Sequence, residues 1–263
     1  MNTNGKKTTL MPKEQRGSRP RCVLFTDGPE AVVAERLTAL VAPFARVEPG
    51  RHAWQPKGWT DISEAKLGET PPFLSPEQRE IVSDWWLAVR HKRANTPNWD
   101  IVSQATISGR EGLILVEAKA HANELHAEGK LKTIKTNLDN HGKIGQAISV
   151  ANNGLNSLLP GWNIFRDTHY QLSNRFAWAW KLATLGIPVI LVYLGFLNAE
   201  EMRDQGEPFA SAMKWEDCVR SHSNGIIPKS AWESRIVLSG GTLTPLIRSA
   251  DIAYSAIGFG KGN

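Results

Sequence analysis

The chain has 263 residues, 41% of them hydrophobic and ten of them tryptophan, which suits one substantial core and excludes a disordered polar chain. Its formal charge is +5 and its pI about 9.2, but residues 1–22 set Lys6, Lys7, Lys13, Arg16, Arg19 and Arg21 against Glu14 alone, so the body is formally neutral and the pI says little about partners. Cys22 and Cys218 have no ligand-like spacing, and no apolar run approaches the ~20 residues of a bilayer span, so the expectation is a cytoplasmic protein without disulfide framework or zinc knuckle.

Residues 1–20 read as a disordered basic arm able to touch phosphates without specificity. Residues 21–74 read as an N-terminal α/β extension and linker. Within it 21–25 is a short strand, Thr26-Asp27-Gly28-Pro29 a turn, 30–40 a helix through Val33, Leu37 and Leu40, and 49–72 a long connection rich in Pro and Gly. A strand, turn and helix at this place allow a small-molecule α/β enzyme, yet no glycine-rich fingerprint follows.

The core is expected over 75–200. Ser75-Pro76-Glu77-Gln78 starts a helix that runs to about residue 92, with Ile81, Trp85, Trp86 and Val89 as its apolar stripe. Residues 99–107 and 113–118 form a hairpin around a loop at 108–111, and the second strand, apolar at both parities, belongs at the centre of a sheet. A helix over 144–159 stops at Pro160-Gly161. A second helix over 170–185 puts Leu172, Phe176, Ala179 and Ala183 on one face, opposite Gln171, Asn174, Arg175 and Trp178. An apolar strand over 187–196 follows, and 201–263 reads as a C-terminal accessory region.

Glu-x-Lys occurs three times, at Glu64/Lys66, Glu117/Lys119 and Glu128/Lys130, and only the second follows an apolar strand. Residues two apart on a strand share a face, so Glu117 and Lys119 project together from a strand end, where such charges are costly unless paired or used. Asp100 is the acid available on the neighbouring strand. With a four-residue loop Ile107 pairs with Gly112, which sets Asp100 opposite Lys119 and on one face with Glu117. The two carboxylates are then diagonal, about 7 to 8 Å apart, and can share a cation. A slip of one residue would put Asp100 on the other face.

A helix, a hairpin bearing Asp and then Glu-x-Lys, a further helix and a strand over 75–197 resemble the PD-(D/E)XK nuclease superfamily. The resemblance implies a restriction-endonuclease-like α/β core, a central mixed sheet flanked by helices, and metal-dependent hydrolysis of phosphodiesters in nucleic acid, DNA ahead of RNA. It implies that Asp100, Glu117 and the backbone carbonyl of Ala118 hold Mg²⁺ or Mn²⁺, with Glu80 a further carboxylate from the first helix, and that Lys119 orients water and stabilises charge on the phosphate. The first motif departs from the family, Asn98-Trp99-Asp100 standing where Pro-Asp is usual, and no Gln-x-x-x-Tyr follows on the later helix. Gln171 and Arg175, near that helix's N-terminus, are placed to contact a phosphate, and Lys130, Lys132 and Lys135 lie where a nucleic-acid backbone could run. The same three residues also fit a structural ion cluster on a non-catalytic binding or assembly module, and His121 fits a polar loop.

Overall fold

Val189–Phe196 is buried at every position and forms the middle of a seven-stranded sheet. The computed structural model describes residues 6–90, 95–130 and 137–254. Its strands are β1 (Ala45–Arg46), β2 (Trp54–Gln55), β3 (Ala65–Lys66), β4 (Asn98–Trp99), β5 (Ile101–Ile107), β6 (Arg110–Lys119), β7 (Val189–Phe196), β8 (Ile236–Val237) and β9 (Thr242–Ala250). The sheet runs β1-β5-β6-β7-β9-β8, with β2 also on β5, while β3 and β4 pair apart from it. The β5–β6 pair is antiparallel and β6–β7 and β7–β9 are parallel, so the sheet is mixed.

Helices cover both faces. α1 (Ser18–Phe25) and α2 (Glu30–Val41) pack on the face carrying Ile101, Ile114, Val116, Ile190 and Val192. α3 (Pro76–Trp86), α4 (Leu138–Asn156), α5 (Tyr170–Thr184) and α6 (Ala212–His222) pack on the face carrying Val102, Leu113, Leu115 and Leu191. Each large aliphatic so buried is worth about 1.5–3 kcal/mol relative to exposure, and this holds β6 and β7 at the centre. The class is α/β, a mixed sheet flanked by helices. Among the described residues no helix is long and apolar enough to cross a membrane.

Several expectations need correction. Residues 21–25 are helical, not a strand, and close α1, whose Cys22 and Val23 are fully buried. The basic arm is not loose over its described part. Leu10 is buried, Lys7 pairs with Glu14 at 2.9 Å, Arg16 with Asp204, Arg19 with Glu64 at 3.5 Å, and Arg21 with Glu201. Nor is 21–74 an appendage, since β1 and β2 pair with β5 and α2 builds one layer of the core. The region 201–263 supplies β9, a partner of β7 along eight residues, and is not accessory. α3 starts as expected, Ser75 and Gln78 capping each other reciprocally, but ends at Trp86, with Val82 and Trp86 inward and Ile81 and Val89 exposed. On α5, Arg175, Asn174 and Trp178 are buried with the apolar face, Trp178 against Trp85 and Trp86.

Candidate active site

The β5–β6 hairpin sets the site. Its turn is two residues, Ser108 and Gly109, both at positive φ, and Ile107 pairs with Arg110 instead of Gly112. The register differs from expectation by two residues, and an even slip leaves every side chain on its face. The ladder's last pair is Ile101 with Val116. One step further, Asp100 is level with Glu117 and no longer with Lys119.

The chain bends at Asp100, between β4 and β5. In an antiparallel ladder alternate residues turn both backbone groups toward one neighbour, and on β6 that set runs through Gly112, Ile114 and Val116 to Ala118. The rung at Ala118 is filled by a side chain: the Ala118 N–H donates to Asp100 Oδ2 at 2.7 Å. By the same alternation the Ala118 carbonyl faces the edge that β5 has left. Two residues on, the Ala120 N–H donates to Glu124 Oε2 at 3.1 Å.

Glu117 and Lys119 project from the α5 side of the sheet. Lys119 Nζ donates to Glu117 Oε1, and Arg175 Nε, reaching down from α5, donates to Oε2. Arg175 is held in turn by the Asn98 carbonyl at 2.8 Å and by the Trp99 ring, 4.6 Å beneath its guanidinium. Glu117, Lys119 and Arg175 are only 1%, 5% and 7% exposed, whereas Asp100 is half-buried.

Burial opposes ionisation of Glu117, but the charges of Arg175 and Lys119 overcome it and hold the carboxyl below its ordinary range. Burial likewise opposes the Lys119 ammonium, and Glu117 and Asp100 together keep it charged beyond its usual range. Asp100 goes the other way. Burial first, and the Glu117 charge second, push its carboxyl up to about 7, against the pull of Lys119 and the Ala118 N–H. Compared with protein-family models, curated proteins and solved structures, the chain matches none.

The fold thus brings together Asp100, Glu117, Lys119 and the Ala118 backbone. Arg175 joins them, but on the carboxylate of Glu117 and not free for a phosphate. Gln171 is half-buried, its side chain makes no hydrogen bond among the described residues, and it lines a pocket next to Arg175. Lys130 lies with Nζ 4.6 Å from the ring centre of Tyr170, which lines that pocket. Glu80 is exposed on α3, and among the described residues no hydrogen bond or ion pair ties its carboxylate to the cluster. Lys132 and Lys135 lie outside the described residues. His121 is buried, 3.3 Å from Glu124.

Two acids not singled out from the sequence act on the cluster. Glu64, discarded as part of a polar stretch, precedes β3, whose Ala65 pairs with Trp99; its charge acts on Asp100, and Asn98 Nδ2 donates to it at 2.7 Å. Glu124 is pushed up chiefly by burial, with Lys119 pulling it back. The spacing Glu117–Lys119–Glu124 was visible, but nothing in it tied Glu124 to the strand edge.

Among the described residues no three His, Cys, Asp or Glu side chains gather as a metal cage. A cation at the strand edge would therefore take two carboxylates, a carbonyl and water, a hard-oxygen set of the kind Mg²⁺ accepts. The residues suit it. Asp100 Oδ1 has no protein partner among the described residues, each Glu117 oxygen keeps a second lone-pair site, and a carboxyl raised to about 7 by burial and then by a neighbouring acid is a group a cation relieves.

Proposed function

We propose that the chain is a divalent-cation-dependent phosphodiesterase acting on nucleic acid, DNA before RNA, on a restriction-endonuclease-like core. The observation that carries this is the meeting of Asp100, Glu117 and Lys119 at the strand edge where β5 ends, with the Asp100 side chain filling the Ala118 rung. Asp100, Glu117 and the Ala118 carbonyl would hold Mg²⁺ or Mn²⁺. When bound, the ion supplies Lewis acidity toward a phosphoryl oxygen and acidifies water. Lys119, kept protonated by two acids, donates to the oxygen on which negative charge develops and orients the attacking water. Arg175 fixes the Glu117 carboxylate, and the Trp99 ring and Asn98 carbonyl fix Arg175.

One observation favours a second reading, a non-catalytic nucleic-acid-binding or assembly module on the same fold: Glu117 is already paired with two cations. Such buried clusters also serve structure alone. Metal binding separates the two. Titration of the full chain with Mn²⁺, followed calorimetrically, should show a site in the wild type that is lost in Asp100→Asn. Equal heats from both proteins would favour the module.

A further inference from the structure

A pocket of about 660 Å³ opens beside the cluster, with Arg175 in the wall between them. Beside Arg175, His126 and Glu128, its polar lining is neutral amide and hydroxyl, with Asn98, Gln171, Asn174 and Thr96 set between Trp86 and Tyr170 as aromatic walls. The charge of Arg175 is met by Glu117, so the pocket offers little to a phosphate. Primary amides pair a donor with an acceptor, the pattern that recognises the edge of a base such as adenine, and aromatic rings supply stacking. Two of these groups lack partners among the described residues. The Gln171 side-chain amide makes no hydrogen bond, and Thr96, 3% exposed, buries a hydroxyl without a partner.

The recess of the cluster points the same way. Glu117 and Lys119 are almost wholly covered and Asp100 is half-buried, while Arg175, which holds Glu117, also lines this pocket. A phosphate on a regular duplex stands at the rim of a wide cylinder, whereas an unpaired nucleotide can enter a recess and leave its base in a side pocket. We propose that the pocket lined by Thr96, Asn98, Gln171 and Asn174 receives one unpaired nucleobase, so that the substrate is single-stranded or frayed nucleic acid. The placement of the phosphate rests on the phosphodiesterase reading; the base pocket is tested by binding alone.

The test uses the full chain in EDTA and fluorescence anisotropy with a blunt 16-base-pair DNA duplex and the same duplex carrying three unpaired 3′ adenines. The tail should tighten binding about tenfold, the order expected for one stacked base. Thr96→Val and Gln171→Ala should each bring the ratio of the two dissociation constants to within about twofold, and Thr96→Ser should restore it. Melting midpoints verify folding, and Gln171→Ala decides if Thr96→Val does not fold. Equal affinity for tailed and blunt duplex, no binding to either, or a wild-type ratio in both variants would overturn the proposal. A tail preference without Mg²⁺-dependent cleavage supports the pocket and removes the phosphodiesterase; cleavage of both duplexes alike, without a tail preference, does the reverse.

Discussion

Asp100→Asn should make the metal-free protein more stable at pH 8 and leave it unchanged near pH 4. The Asp100 carboxyl is raised from 3.8 to about 7 by burial and by Glu117, so the folded chain binds this proton more tightly than the unfolded chain. Stability from this group is therefore greatest below pH 4, falls as pH rises toward 7, and levels above it. At about 1.4 kcal/mol per pKa unit the ceiling is on the order of 4 kcal/mol. Lys119 loses an attractive neighbour in the variant and Asp100 is part-exposed, so a net gain of about 1 to 2 kcal/mol is the expectation, or roughly 2 to 8 °C in a chain of this size. Asn keeps an oxygen for the Ala118 N–H. Thermal melts in EDTA at pH 4 and pH 8 measure the effect, and Mg²⁺ at pH 8 should raise the wild-type midpoint but not that of the variant. A variant melting below the wild type at pH 8, with the same pH slope, would refute the idea that two acids are held in mutual strain here.

Glu117→Gln should behave oppositely, because it leaves the buried Lys119 and Arg175 without their shared carboxylate; a loss of about 3 to 5 kcal/mol in urea denaturation is expected. This departs from the simple view that both acids are strained alike when metal is absent. Leu10→Ala should cost roughly 2 to 3 kcal/mol in the same assay, since Leu10 is 2% exposed, whereas a loose arm predicts no change. Gly195→Ala should cost about 1 to 3 kcal/mol in thermal melts, because an added Cβ would lie 2.4 Å from the Trp215 ring.

The hairpin, the apolar strand β7 and the nearness of Asp100 to Glu117 and Lys119 were legible because doubly buried strands leave an unbroken apolar run, and charges at the end of one stand out. Their face survived a wrong loop length because the slip was even. Residues 21–25 misled because Cys-Val-Leu-Phe suits a strand as well as a helix, and only packing against the sheet decides. β9 was hidden by Pro245, which argues against an interior strand. It is tolerated because β8 pairs only as far as Leu243 and Thr242, so the missing N–H faces an edge where Pro245 needs only to accept, which it does from Glu233 N–H. Arg175 was noticed as a helix-face cation, but its partner, 58 residues away in sequence, is a product of α5 crossing the sheet above Glu117.

Catalysis at the β6 edge is read out by cleavage of end-labelled single- and double-stranded DNA. Wild-type protein, with Mg²⁺ or Mn²⁺ and with EDTA, is compared with Lys119→Ala after melts have verified that both are folded. Fragments are expected from the wild type with metal and none in EDTA, with a loss of at least about 100-fold in Lys119→Ala, the scale of removing one donor to developing charge. Intact DNA under every metal condition, or cleavage undiminished in Lys119→Ala, would contradict it.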